Sequence, residues 1–282
     1  KGVDEVYWSD YSRLLRRYRS ISVREASGVE TVRDLAGMEA VQVADPTLLI
    51  GCGEWMKFAA PMPGLPNRFI FCYCIDYVFN PFPEIKTFLS RLSDRLNGCD
   101  VVFYSCNGGH NREAAGLGWQ IVPDMGPGEF LRLMDAAELV VSTSFHGVAF
   151  SVNFQKNFFA VINPWPSADC RVADFLDSVG LSDRGVNLVR DGFGDGISLQ
   201  VDYGAATPSL DEMRKRSMAY LLSSLSEAGG GGAMRQMLSA EKCTGCAACA
   251  NVCPRHCISM SEDEEGFRIP AVDDCQCVDC PF

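Results

Sequence analysis

The sequence VVSTSFHG, at residues 140–147, combines residue types that bind anions and move protons. It is predicted to begin as a buried strand, to turn at Ser142, Thr143 and Ser144, and to continue as a helix. Backbone N–H groups at a helix N-terminus bind anions, and hydroxyl groups add further donors or cap the helix. His146 would lie in the first helical turn, and histidine exchanges protons near neutral pH. We therefore expect an anion-binding site here, the alternative being a capped helix with an incidental histidine.

A second candidate lies at residues 21–25, with the sequence ISVRE. Arg24 follows a short predicted strand, so its side chain should project at a strand end. A guanidinium group in this position can hold a phosphate or a carboxylate through two parallel hydrogen bonds. The alternative is an ordinary ion pair with Glu25 or with another acidic side chain.

Two further turns follow predicted strands. Asn107, Gly108 and Gly109 form a glycine-containing loop that could approach a nucleotide or a lipid diphosphate, a plain turn being the alternative. The pair Asp45-Pro46 is interpreted as a structural turn, because proline fixes the backbone and aspartate bonds to nearby N–H groups.

Eight of the fourteen cysteines lie between Cys243 and Cys280. The first four follow the spacing Cys-x-x-Cys-x-x-Cys-x-x-x-Cys-Pro, which is typical of bacterial iron–sulfur proteins. In proteins with two such clusters, the fourth cysteine binds the other cluster. This motif would thus supply three thiolates to the first cluster and one thiolate to the second. The predicted ligands of this motif are Cys243, Cys246, Cys249 and, for the second cluster, Cys253.

A second cysteine motif begins at Cys277-x-x-Cys280-Pro281, and the sequence ends at Phe282. We expect this motif to be incomplete, so that one or two 4Fe–4S clusters form. Cys257 and Cys275 could substitute for missing ligands, although neither has the usual spacing. Paired Cys-x-x-Cys elements also bind zinc, which is the alternative. The other six cysteines are scattered among apolar residues and are predicted to be buried as small hydrophobic side chains.

Strand-like and helix-like segments alternate along the first part of the chain. This alternation predicts an α/β fold with an open, mostly parallel, Rossmann-like sheet that has helices on both faces. Strands are predicted at 20–23, 41–43, 68–75, 101–104, 139–141 and 158–162, and helices at 29–36, 85–96, 130–137, 145–152, 171–179 and 209–228. Four glycines at 229–232 indicate a linker. We therefore expect a domain at 1–228, a linker at 229–236 and a small iron–sulfur domain at 237–282.

Composition and charge exclude some classes of partner. The formal net charge is −11 and no basic block stands out, so we do not expect a nucleic-acid partner. No stretch approaches the roughly 20 apolar residues that cross a bilayer. Clustered thiols without a secretion signal indicate a reducing cytoplasm. Peripheral association with the inner face of the membrane stays open.

The first 185 residues resemble the polysaccharide pyruvyl transferase family. The matching segments are ISVRE at 21–25, ADPTLLI at 44–50, GPGEFLRLMDAAELVVSTSFHGVAFSV at 126–152 and ADCRVADFLDSVGLSDR at 168–184. The resemblance implies two Rossmann-like domains of GT-B type, of which most of the N-terminal one would be missing here. It also implies transfer of pyruvate from phosphoenolpyruvate, the co-substrate, to sugar hydroxyls as a ketal in surface polysaccharide biosynthesis.

For that reaction the candidate residues take definite roles. Arg24 would bind the carboxylate or the phosphate of phosphoenolpyruvate, and His146 would be the acid–base group or a phosphate donor. Glu25 is a second acid–base candidate, and Arg171 would contact an activated or phosphorylated acceptor. The phosphate would be cradled by Ser142, Thr143, Ser144 and the backbone of Gly147. The acceptor would be a sugar or a lipid-linked oligosaccharide.

The segment CTGCAACANVCP…CISMSEDEEGF…P resembles the ferredoxin region of the beta subunits of deazaflavin-reducing hydrogenases. This resemblance implies electron transfer with a redox partner. Three hypotheses follow: a pyruvyl transferase joined to a redox module, an electron-transfer protein with a non-catalytic transferase-like scaffold, or a GT-B glycosyltransferase that uses a nucleotide sugar.

Overall fold

The computed structural model describes residues 4–76, 79–163, 171–190, 196, 198–228, 243, 245, 247–253, 255–264, 266–273 and 277. The chain divides into two compact units, Lys1–Ser217 and Met218–Phe282. The predicted linker at 229–236 lies outside the described residues, so the predicted domain limits stay a prediction. Among the described residues, no helix is both long and apolar enough to cross a membrane.

The centre of the first unit is a six-stranded, fully parallel sheet. Its strands are β3 (Phe69–Cys74), β4 (Asp100–Ser105), β5 (Gln120–Ile121), β6 (Leu139–Ser142), β7 (Phe158–Val161) and β8 (Gly185–Val186). Their spatial order is β5-β4-β3-β6-β7-β8. The chain therefore winds outward from β3 in one direction and then outward from β6 in the other, as in Rossmann-like folds.

Both faces of this sheet are covered, as predicted. Along β3, Phe69 and Phe71 belong to one buried cluster, whereas Ile70, Cys72 and Cys74 belong to another. Successive side chains of a strand point to opposite faces, so each face has its own core. The flanking helices are α4 (Phe82–Arg95), α5 (Gly108–Gly116), α6 (Pro127–Ala136), α7 (Phe145–Asn153) and α8 (Arg171–Ser178).

Before the sheet, a small parallel pair is formed by β1 (Ser22–Val23) and β2 (Val41–Gln42). The short helix α1 (Trp8–Leu15) precedes this pair, and α2 (Ala26–Ala36) connects its two strands. A further short helix, α3 (Cys52–Trp55), follows. The long helix α9 (Ala206–Ala228) contacts the segment after β2, because the Ala44 N–H donates to Ser217 Oγ at 2.8 Å.

The glycine-containing loop predicted at Asn107, Gly108 and Gly109 is in fact the start of a helix. Asn107 is the N-cap of α5, and its Oδ1 accepts the N–H of Gly109 at 2.9 Å. The burial predicted for the scattered cysteines is confirmed at Cys72, Cys74 and Cys99. It is wrong at Cys106, which is exposed, and Cys170 lies outside the described residues.

The second unit contains the short helix α10 (Ala248–Val252) and an antiparallel hairpin of β9 (Ile258–Glu262) and β10 (Arg268–Val272). A small buried cluster connects the hairpin to the cysteine segment. Its buried members are Cys253, Cys257 and Ile258, against which Cys249 and Cys277 pack.

Candidate active site

The carboxyl ends of β3 and β6 meet where the winding of the sheet reverses. Ligands of open α/β folds bind at this point. The Thr143 hydroxyl closes the gap between the two strand ends, because Oγ1 accepts the N–H of Ile75 and donates to its carbonyl, both at 2.7 Å. The turn that precedes α7 is therefore fastened to the end of β3.

Ser142 shapes the same turn. Its Oγ accepts the N–H of Ser144 at 3.0 Å and lies within hydrogen-bonding distance of the carbonyls of Tyr73 and Ser144. A Cβ atom at Gly147 would lie 2.1 Å from Ser142 Oγ, so only glycine fits there without a shift. The VVSTSFHG pattern thus includes a glycine that is required for close packing.

These contacts engage two of the hydroxyls that the sequence predicts to bind phosphate. A serine or threonine hydroxyl has one hydrogen to donate. In Ser142 and Thr143 that hydrogen is directed at backbone carbonyls, so neither side chain has a donor left for a phosphate. Ser144 is the N-cap of α7, but its side chain makes no capping hydrogen bond. The donors that remain here are the Ser144 hydroxyl and the backbone N–H groups of the first turn of α7.

Three side chains that are far apart in sequence converge beside this helix. Arg24 Nη1 donates to Asp45 Oδ2 at 2.5 Å, and His146 Nε2 lies 3.8 Å from the same oxygen. The Asp45 side chain is only 4% exposed, whereas those of Arg24 and His146 are 33% and 53% exposed. A buried carboxylate thus lies behind a cation and an imidazole that both reach solvent.

Asp45 is held as a carboxylate by its neighbours. Its Oδ1 accepts both the N–H and the hydroxyl of Thr47, at 2.9 and 2.7 Å. Burial by itself would raise the pKa of Asp45, but the hydrogen bonds from Arg24 and Thr47 and the nearby His146 outweigh it. The pKa of Asp45 consequently lies below its ordinary value. From the sequence alone, Asp45 is predicted only to stabilise a turn.

The segment that carries Asp45 is fixed to the two neighbouring helices. Asn153, at the end of α7, donates to the carbonyls of Thr47 and Ile50, both at 2.9 Å. Arg214 of α9 donates to the carbonyl of Leu48 at 2.6 Å and to Asn153 Oδ1 at 2.7 Å. Asp45 and His146 are therefore positioned by one connected network.

Arg24 has two further contacts. Its guanidinium lies 5.3 Å from the ring centroid of Phe145, the residue before His146, and its Nη2 lies 3.5 Å from Glu25 Oε1. Glu25 Oε1 is buried and has no hydrogen-bond partner among the described residues. The ion pair considered as an alternative for Arg24 does exist, but its stronger partner is the buried Asp45.

Asn107 and Arg171 lie at other positions of the first unit. Asn107 Nδ2 donates to Asp76 Oδ2 at 3.2 Å, so its amide connects the loops that follow β4 and β3. The side chain therefore has a structural role as both a helix cap and a loop contact. Arg171 is the first residue of α8, and residues 164–170 before it lie outside the described residues. Contacts of Asn107 and Arg171 with a substrate stay predictions.

Four of the predicted iron–sulfur ligands are among the described residues of the second unit, namely Cys243, Cys249, Cys253 and Cys277. The N–H of Gly245 points at Cys243 Sγ at 3.2 Å. Hydrogen bonding holds the pKa of the Cys253 thiol below its ordinary value, chiefly through the backbone N–H of Cys257, then through the Cys257 thiol and the backbone at Arg255 and His256. Hydrogen bonds of this kind stabilise thiolates, the form that binds iron.

Cys257 has the opposite character, because its pKa is raised to about 11. The main cause is its side-chain hydrogen bond with Cys253, followed by burial. Among the described residues, no three His, Cys, Asp or Glu side chains are grouped as ligands of one metal ion. The predicted ligands Cys246 and Cys280 lie outside the described residues.

Comparison with protein-family models identifies the first unit. The polysaccharide pyruvyl transferase model matches residues 4–164, which is more than half of the 282 residues. The chain belongs to the polysaccharide pyruvyl transferase family. A 4Fe–4S binding domain matches residues 238–259. This pyruvyl transferase family member therefore also carries an iron–sulfur domain, and the backbone N–H groups directed at Cys243 and Cys253 suit thiolate ligands of such a cluster. No curated protein matches the chain significantly.

Solved structures show only a distant likeness. One is a mutant O-GlcNAc transferase from Thermobaculum terrenum, with 14% identity, 68% of this chain and 38% of that chain covered, and a TM-score of 0.36. The UDP-GlcNAc 2-epimerase of Methanocaldococcus jannaschii has 12% identity, 68% and 59% coverage, and a TM-score of 0.38. The wall teichoic acid polymerase TagF has 13% identity, 79% and 56% coverage, and a TM-score of 0.38. This family member thus spans less than two thirds of each of these structures, and the scores support no argument about substrates.

Proposed function

We propose that this protein transfers the pyruvyl group of phosphoenolpyruvate to two hydroxyls of a sugar acceptor, forming a ketal. The observation that carries this proposal is the convergence of Arg24, Asp45 and His146 at the carboxyl edge of the sheet. The family membership supports a transferase, and these three residues supply what the ketal reaction needs. The acceptor is a free sugar or a lipid-linked oligosaccharide.

The substrate anion is bound by two features of the site. Arg24 uses one N–H toward Asp45 and has further donors in its planar guanidinium group for a carboxylate or a phosphate. The first turn of α7 adds the backbone N–H groups of Phe145, His146 and Gly147, at the end of the helix that favours negative charge. A small dianion could contact both features only if it lies beside His146.

Proton transfer is the other requirement. The methylene carbon of phosphoenolpyruvate gains a proton, C2 forms bonds to two acceptor oxygens, and the bond from C2 to the phosphate oxygen breaks. Of the two protons lost by the acceptor hydroxyls, one balances the new methyl group and the other leaves on the phosphate. His146 is half-exposed and close to the Asp45 carboxylate, so it can pass these protons while Asp45 orients it. Glu25 is a second proton carrier in this proposal.

Ketal formation involves no net oxidation or reduction. The iron–sulfur domain therefore adds a separate electron-transfer function, which we assign to exchange with a redox partner. When bound, a 4Fe–4S cluster supplies one-electron chemistry, and in this chain it would be held by thiolates of the two cysteine motifs. The pyruvyl transfer reaction does not pass through it.

The test of this proposal is turnover with a panel of sugar acceptors. We expect phosphate release from phosphoenolpyruvate only when an acceptor diol is present, together with a new ketal methyl signal in the NMR spectrum. His146→Asn and Arg24→Gln should each lower the rate at least a hundredfold, in the range typical of acid–base groups. Arg33→Gln is the matched control, because Arg33 forms an exposed ion pair with Glu39.

Two outcomes would contradict the proposal. One is turnover of a nucleotide sugar without any dependence on phosphoenolpyruvate, which would favour a glycosyltransferase. The other is equal activity of the Arg24→Gln and Arg33→Gln variants, since this would show that the Arg24–Asp45 pair has no part in the reaction.

A further inference from the structure

Cys257 lies outside the cysteine spacing of the iron–sulfur motif, yet its thiol is next to a predicted ligand. Its Sγ is 3.4 Å from Cys253 Sγ, within hydrogen-bonding distance for sulfur. Both residues are buried, at 5% and 3% exposure, and they belong to the same apolar cluster as Ile258. A buried thiol in such a position must find its partner within the protein.

The backbone brings the two thiols together. His256, directly before Cys257, has a φ of +49°, a left-handed conformation that is uncommon for residues other than glycine. Its N–H donates to the carbonyl of Cys253 at 3.1 Å, which closes the chain back on itself. This turn directs Cys257 toward Cys253 just before β9 begins.

Cys257 also contacts a predicted ligand from the second motif. Cys277 packs against the buried cluster that contains both Cys257 and Cys253. The backbone supports this contact, because Asp273 donates to the carbonyl of Cys257 at 2.7 Å and Cys277 donates to the carbonyl of Asp273 at 2.9 Å. Cys253 and Cys277 are two of the residues that the cysteine spacing assigns to the second cluster, together with Cys280. Cys257 thus lies between two ligands of one cluster.

We propose that Cys257 is a hydrogen-bond donor to the ligand sulfurs of the second iron–sulfur cluster and that it raises the reduction potential of that cluster. Hydrogen bonds to the sulfurs are among the factors that set cluster potentials. An S–H donor stabilises the more negative, reduced state more than the oxidised state. Cys257 is therefore a positioning and tuning residue, with Cys253 and Cys277 as the ligands. This inference rests on the iron–sulfur domain and does not depend on pyruvyl transfer.

The test compares Cys257→Ala and Cys257→Ser in the full-length protein, purified without oxygen. Iron and acid-labile sulfide are measured first, and the cluster potentials are then titrated by electron paramagnetic resonance. We expect unchanged iron content in both variants and a more negative potential for one cluster in Cys257→Ala. Cys257→Ser keeps a donor and should lie closer to the wild type. Ser259→Ala, at an exposed position of β9, is the matched control and should leave both potentials unchanged.

Either of two results would overturn this inference. Loss of about half of the iron in both variants would make Cys257 a ligand. Wild-type potentials in Cys257→Ala, with full iron content, would show that the thiol has no influence on the cluster.

Discussion

Asp45 is the residue that connects the other two members of the site. Arg24 is 21 positions before it and His146 is 101 positions after it, so no local pattern could reveal the contact. The sequence correctly suggested that Arg24 and His146 lie at strand ends. It did not reveal Asp45, because an Asp-Pro pair is typical of a turn and Asp45 does cap one. Its contacts with Arg24 and His146 depend on how α7 packs against this turn.

The first prediction concerns the charge of Asp45. Its pKa is lowered in the folded protein, so its charge contributes stability above the ordinary aspartate pKa of about 3.9, and this contribution is lost as the pH falls through the folded-state pKa. Asp45→Asn should lower the free energy of unfolding by about 2 kcal/mol at pH 7. The difference from the wild type should shrink between pH 5 and pH 3, as measured by urea denaturation.

Asp34→Asn is the control for that experiment, because Asp34 is exposed on α2. Its substitution should change stability by less than about 0.5 kcal/mol at any of these pH values. A difference between wild type and Asp45→Asn that stays constant down to pH 3 would show that the carboxylate charge is not the source of the stabilisation.

At the scale of elements, the long apolar runs of the sequence predicted β3, β4, β6 and β7 well. The two-residue strands β5 and β8 are too short to give a periodic signal, and the sequence did not predict them. The sequence predicts a loop at the start of α5, because Gly108 and Gly109 favour turns. The Asn107 cap and the packing of Ala114 in the core outweigh that preference.

The second prediction concerns the connection between β6 and β3. Thr143→Val keeps the shape of the side chain but removes both hydrogen bonds to Ile75. The buried N–H and carbonyl of Ile75 then lose a partner, which should cost about 1–3 kcal/mol of unfolding free energy. Thr143→Ser retains the hydroxyl and should be closer to the wild type. Equal unfolding midpoints for the two variants would contradict this role of the hydroxyl.

At the scale of the molecule, two different domain families are present on one chain. The first unit has a Rossmann-like parallel sheet and belongs to the polysaccharide pyruvyl transferase family, and the second unit contains a match to a 4Fe–4S binding domain. The sequence predicted both, because each motif is local. It could not predict how thiols outside the motif, such as Cys257, would be arranged, since this depends on the turn at His256.

The third prediction follows from the absence of net redox change in ketal formation. The rate of pyruvyl transfer should be the same, within about twofold, for the protein with reduced and with oxidised clusters. The measurement is phosphate release from phosphoenolpyruvate with and without prior reduction by dithionite, with the cluster state followed by absorbance. A rate that changes tenfold or more would show that the iron–sulfur domain controls the transferase.

The most direct test of the central claim is calorimetric titration of phosphoenolpyruvate into the full-length protein and its variants. We predict that the wild type and Arg33→Gln bind phosphoenolpyruvate equally well. Arg24→Gln and His146→Ala should each bind it at least tenfold more weakly, which corresponds to about 1.4 kcal/mol. Absence of binding to the wild type, or equal affinity in all four proteins, would contradict the assignment of this site to phosphoenolpyruvate.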